Sequence, residues 1–178
     1  MNLTETKIDS KDVFDGCLLH VKKDTVSLPN GKTSTREFIV HNGAVAVIPV
    51  LPDGKILMER QFRYPNHKVY LEIPAGKLEL NEDPLEAAAR ELQEETGAVA
   101  DNVEFLCDIQ PTIAYSTEII HIYVATGIHF VDTKLDEDEF VEIEKFELDE
   151  LVKMILNNEI HDSKTCYGIL HYYVKNLK

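Results

Sequence analysis

Three glutamates, Glu91, Glu94 and Glu95, stand at i, i+3 and i+4 near the end of a segment with helical spacing, and a fourth, Glu82, precedes it. Like charges one turn apart repel, and Glu91 and Glu95 cost a helix roughly 0.3 kcal/mol in this way. Something must offset that concentration of charge. Hard divalent cations take oxygen ligands, so a metal site is one answer. A solvated acidic helix laced with salt bridges is the other. Arg90 is within i,i+4 reach of both Glu86 and Glu94 and can brace the carboxylates under either reading.

The helix that must present these side chains has legible ends. Asp83 is placed as N-cap, Pro84 at the first helical position and Glu86 at the third, as in a capping box. Gly97 is placed to end the helix in the left-handed conformation. Leu85, Ala88, Ala89, Leu92 and Thr96 predict a narrow face of small residues for docking on a sheet, with Glu91 and Glu95 about 40° apart on its flank.

The rest reads as strands around that helix. Residues 14–28 and 34–41 predict a hairpin turned by Pro29-Asn30-Gly31. Residues 44–50 are a nearly continuous apolar run, turned by Pro52-Asp53-Gly54 into 55–60. Further strands are expected over 69–73, 103–109, 119–126 and 140–148. Helices are expected over 150–158, capped by Asp149, and 164–176, capped by Asp162 or Ser163. This pattern is a mixed α/β sandwich, its sheet covered by helices.

Length and composition bound the partners. A chain of 178 residues can bury most of its apolar surface in one core. The formal charge of −14 argues against nucleic acid or an anionic membrane as partner. The N-terminus is polar, without a signal core, and no apolar run approaches the length of a spanning helix. Cys17, Cys107 and Cys166 are isolated and lack zinc-type spacing, so they read as reduced thiols and place the chain in the cytoplasm.

The stretch Gly76-x5-Glu82-x7-Arg90-Glu91-Leu92-x-Glu94-Glu95-x-Gly97-Ala98 resembles the signature box of the Nudix hydrolases. Its charged and glycine positions all match, and only Ala98 is smaller than the family's usual aliphatic. Segments outside the box are similar to the ADP-ribose pyrophosphatase branch. They are Ser34-Thr-Arg36-Glu37, Glu59-Arg-Gln-Phe-Arg63-Tyr-Pro, Leu71-Glu72-Ile-Pro-Ala75-Gly76, Tyr115-Ser-Thr-Glu118, Asp136-Glu137-Asp138-Glu139 and Ile160-His-Asp-Ser-Lys-Thr. The resemblance spans residues 12–175 in the family's order.

That resemblance implies an α/β/α sandwich with a mixed sheet (α+β in its segregated parts). It divides the chain into an N-terminal β-hairpin subdomain over 1–42 and a hydrolase domain over 43–178. It implies a homodimer in which the N-terminal segment crosses to its neighbour. It implies Mg2+ or Mn2+ held by Glu91, Glu95 and the backbone carbonyl of Ala75. Glu94 and Glu82 would be ligands or partners of ligands, and Arg90 would orient the carboxylates. Glu137 is implied as general base and Glu139 as an added metal ligand, with the two roles open to exchange. Implied substrate contacts are Arg36 and Glu37, Arg63 on phosphate or ribose, and Glu118 at the terminal ribose; Phe14 is the nearest candidate for stacking on adenine. His121 reads as a packed residue of an apolar strand.

One segment departs from the branch. A Ser-Pro-Gly-Tyr-Ser-like loop usually follows the box, and here Thr112-Ile113-Ala114-Tyr115-Ser116 replaces it, with Pro111 the nearest proline. The expected activity is cleavage of ADP-ribose to AMP and ribose 5-phosphate. The same chemistry on another nucleotide sugar or an oxidised nucleotide is a second reading. A sensor that binds ADP-ribose without cleaving it is a third, and retention of Glu91, Glu94 and Glu95 speaks against it.

Overall fold

The computed structural model describes residues 2–131 and 140–177. The chain divides into two compact units, Met1–Gly43 with Gln110–Ile119, and Ala44–Ile109 with Ile120–Lys178.

The first unit is an antiparallel sheet in the order β1-β2-β3, from β1 (Thr6–Asp15), β2 (His20–Ser27) and β3 (Thr33–Val40). The expected hairpin is β2 and β3. The strand β1 was not legible because Lys7, Asp9, Lys11 and Asp12 hide its extended pattern, and all ten of its residues are exposed. The segment 110–119 joins this unit beside β3, where Ile39 donates to Tyr115 and accepts from Thr117.

The second unit is built on β4 (Ala44–Pro49), buried along its whole length. Its odd and even residues serve different layers. Val45 and Val47 pack with Ala87, Ala88 and Leu92 of α1 (Pro84–Thr96). Ala44, Ala46 and Ile48 pack with Leu151 and Val152 of α2 (Leu148–Leu156) and Ile169 of α3 (Ser163–Asn176). A strand clad on both faces must be apolar throughout, which is why the sequence shows a run there rather than an alternation.

Around it lie β5 (Ile56–Arg63), β6 (Lys68–Glu72), β7 (Ala75–Lys77), β8 (Ala98–Ile109), β9 (Ile120–Phe130) and β10 (Val141–Phe146). They form an antiparallel sheet β10-β5-β6 and a mixed sheet β7-β4-β9-β8, in which β4 runs parallel to β9. The α/β sandwich with a mixed sheet is therefore present. The second helix begins earlier than expected. Glu147, not Asp149, stands at its N-cap, without a side-chain bond, so Asp149 and Glu150 fall in the first turn.

Candidate active site

Asp83 accepts from the backbone N–H groups of Leu85 and Glu86, and Pro84 needs no partner at the first position. Gly97 closes α1 at φ 68°, a conformation that disfavours any side chain. The buried face differs from expectation. Leu85 and Ala89 are exposed, and Ala87, Ala88, Leu92, Glu95 and Thr96 point inward. The stripe is turned so that Glu95, 4% exposed, lies under the helix rather than on an open flank.

What meets α1 there is the strand β7. The backbone N–H of Ala75 donates to Glu95 Oε2 at 3.0 Å. At Gly76 the approach is closer still, since a Cβ on that residue would stand 1.8 Å from Glu91 Cδ. The Glu91 carboxyl fills the space that any side chain at 76 would take. A strand and a helix thus bring two carboxylates and the Ala75–Gly76 backbone together.

Arg90 binds the remaining acids. It forks onto Glu82 through Nε at 2.9 Å and Nη2 at 3.0 Å, and Nη1 reaches Glu91 and Glu94 at 2.8 Å each. Glu86 is not its partner, as the i,i+4 reading allowed; Glu82, on the loop before the helix, takes that edge of the guanidinium. Glu82 is fixed in turn by accepting from the Glu79 N–H at 2.9 Å. The Arg90 bonds hold the Glu82 carboxyl below its usual range and, through Glu82 foremost, hold the guanidinium charged.

Behind Glu95 lies a second group of charges. Glu59 on β5 is fully buried, pairs across the ladder with Glu72 on β6, and contacts Glu95. Neither Glu59 oxygen has a donor in reach among the described residues. A contact between two carboxyls becomes a hydrogen bond only when a proton sits between them. Burial pushes Glu59 up to about 7, with Lys164 and Arg63 pulling against it and Glu72 adding to it. Glu72 moves the other way. Burial opposes its ionisation, but bonds from Arg63 and Lys164 outweigh that and hold it at about 2.

Of the other expected residues, Arg63 lies in this unit and forks onto Glu72. Arg36, Glu37 and Glu118 lie in the first unit. There Arg36 pairs with Glu5, Glu37 with Lys23 at 2.7 Å, and Glu118 stands 3.8 Å from His41 Nε2. Phe14 is more than half exposed on β1. His121 is half-buried and bonded to Asp108 at 2.7 Å rather than packed in the core. Glu137 and Glu139 lie outside the described residues.

Among the described residues, no three histidine, cysteine, aspartate or glutamate side chains converge as a ready ligand set. The donors available at Glu91, Glu95 and the Ala75 backbone are nevertheless all oxygens, and the missing side chain at Gly76 leaves the carboxylate room. That chemistry suits a hard divalent cation.

The family model of the NUDIX domain matches residues 40–165. The chain belongs to the Nudix family. Its signature box is the unit just described, from the Gly76 cradle through α1 to the Gly97 cap. A second model, the nucleoside diphosphate sugar hydrolase N-terminal domain, matches residues 5–39. This Nudix chain is 40% identical over 176 residues to the ADP-ribose pyrophosphatase of Bacillus subtilis (strain 168), covering 98% of this chain and 95% of that one. It is 44% identical over 167 residues to the methanol dehydrogenase activator of Bacillus methanolicus, covering 93% and 90%. The crystal structure of an ADP compounds hydrolase superposes with a TM-score of 0.88 at 21% identity, over 98% of this chain and 96% of that one, which shows the shared fold. The chain is a Nudix pyrophosphohydrolase, and Nudix hydrolases need a divalent metal ion.

Sequence reasoning placed the box but missed Glu72 and Lys164 as a pair, and Glu59 as a buried acid. Glu59 follows Ile56-Leu57-Met58, so a charge in mid-strand was the available signal.

Proposed function

We propose that this protein hydrolyses the diphosphate of ADP-ribose to AMP and ribose 5-phosphate, using Mg2+ or Mn2+. The observation that carries the substrate is the near full-length likeness to an ADP-ribose pyrophosphatase. The carboxylates gathered by α1 and β7 carry the chemistry. Glu91 and Glu95, with the Ala75 carbonyl, hold the ion, and Glu82 and Glu94 serve as further ligands or as partners of the ligands. A bound divalent ion supplies charge compensation at the diphosphate and a more acidic water. Arg90 keeps Glu82, Glu91 and Glu94 oriented. Glu137 takes the proton of the attacking water and Glu139 adds a ligand, or the two roles are reversed. Arg63 donates to a phosphate, while Arg36, Glu37 and Glu118 complete contacts to the nucleoside and the terminal ribose.

Two copies form the working enzyme, through an N-terminal subdomain of residues 1–42. Supporting this, Ile8, Val13 and Phe14 are exposed on β1, an edge strand that a lone chain would leave open. The protein works in the cytoplasm.

The test is a kcat/KM comparison of ADP-ribose, GDP-mannose and 8-oxo-dGTP with Mg2+. ADP-ribose is expected to rank first, and a lower rank overturns the substrate. Glu95→Gln is expected to lower kcat by at least about 100-fold, the scale of losing a group that stabilises developing charge. Equal and slow turnover by both proteins would instead point to a binding protein.

A further inference from the structure

Arg63 closes β5, and its guanidinium is tied down. Nε and Nη2 donate to the two oxygens of Glu72 at 2.9 and 2.8 Å. The Glu72 side chain is 3% exposed, whereas that of Arg63 keeps 40%. Glu72 Oε2, which accepts from Arg63 Nη2, also accepts from Lys164 Nζ, in the first turn of α3. Lys164 is also buried, and its Nζ donates to Asp162 Oδ2 at 3.0 Å. The same Asp162 oxygen accepts from Thr165 N at 3.0 Å and Thr165 Oγ1 at 2.6 Å, and Thr165 Oγ1 accepts from Ile73 N at 2.9 Å. One chain of bonds therefore runs from α3, through β6, to the end of β5.

Buried ion pairs are a costly way to stabilise a fold, because apolar groups of similar volume do as well or better. The half-exposed end of this network suggests what it serves. With Nε and Nη2 committed, the plane of the guanidinium is fixed. The bonds to Glu72 use Nε and Nη2 and leave Nη1 out, on a side chain that keeps 40% of its exposure. A guanidinium with one edge held and one edge open is preset for an oxyanion.

We infer that Glu72, clamped from behind by Lys164, is a positioning residue that holds Arg63 ready for one phosphate of the diphosphate substrate. The inference rests on reading Arg63 as a substrate contact. Glu72 does not meet the substrate. It orders a long side chain during folding, so that this cost does not fall on binding. Lys164 keeps Glu72 charged and in place, and Asp162 keeps Lys164 in place.

The test is steady-state kinetics on ADP-ribose with Mg2+ for wild type, Arg63→Gln, Glu72→Gln and the double variant, with melting temperatures alongside. Each single variant is expected to raise KM about tenfold, as for one lost charge-assisted hydrogen bond, with kcat changed much less. The double variant is expected to match Arg63→Gln, because Glu72 acts only through that arginine. An unchanged KM in Glu72→Gln beside a raised KM in Arg63→Gln overturns the positioning role and leaves Arg63 as a contact. An unchanged KM in Arg63→Gln overturns both. A KM that rises further in the double variant also overturns the inference. Should Glu72→Gln fail to fold, Glu72→Asp keeps the charge but withdraws it by one methylene, and it is read against the same outcomes.

Discussion

Glu59 is a carboxyl buried with no donor in reach among the described residues, and its cost can be read from pH. Its proton is retained up to about 7 in the fold, against 4.5 ordinarily. Between those values the unfolded chain releases a proton that the folded chain keeps, so the contribution of Glu59 to stability falls as pH rises across that window. Glu59→Gln removes the titrating group. Melting of the metal-free protein at pH 5 and pH 8 is expected to show the variant gaining on wild type at the higher pH. A constant difference between them would mean that Glu59 does not titrate in this range. Arg90 shows the limit of local rules at the same scale. The helical spacing offered Glu86, yet the guanidinium chose Glu82, because a loop carboxylate can meet its Nε–Nη2 edge squarely.

The helix α1 is the element that sets the site, and its two ends were legible because caps are local. Asp83, Pro84 and Gly97 act within a few residues of themselves. Asp83→Ala is expected to cost about 1 kcal/mol of stability, seen as a lower denaturation midpoint with little change in kcat. The rotation of its buried stripe was not legible, since it depends on β7, a three-residue strand with no pattern of its own. Gly76 measures that contact. Gly76→Ala puts a methyl where the Glu91 carboxyl lies and is expected to weaken Mn2+ binding by about tenfold or more, the range for disturbing a ligand's support. Titration by electron paramagnetic resonance reads this directly, and unaltered binding would show that Glu91 can move aside freely.

On the scale of the whole molecule, the long-range pairs decide how the protein meets acid. Glu72 is held at about 2 in the fold, against 4.5 ordinarily. A depressed carboxyl stabilises above the unfolded value, and that contribution fades as pH falls from about 4.5 towards 2. Urea unfolding of wild type and Glu72→Gln should therefore differ by about 3 kcal/mol near neutrality and converge in acid. A gap that holds constant to pH 3 would assign the stability to packing instead. Glu72 and Lys164 are 92 residues apart, so no window of sequence could have joined them, although the two segments that hold them were each noted. The apolar run of β4 was legible for the opposite reason, as burial on both faces writes itself into every residue. For the assembly, sedimentation at micromolar concentration is expected to show a dimer, and Phe14→Glu on β1 is expected to weaken it.

The clamp between Glu72 and Lys164 also constrains how this sequence can drift. Neutralising Glu72 leaves Lys164 enclosed with Asp162 alone, and neutralising Lys164 leaves Glu72 with Arg63 alone, each a change more harmful than losing the pair together. Substitutions at 72 and 164 should therefore be tolerated mainly in couples, and a library randomised at both positions should return correlated survivors. Residue 63 would be drawn into the same correlation, so that three distant letters of the chain vary as one.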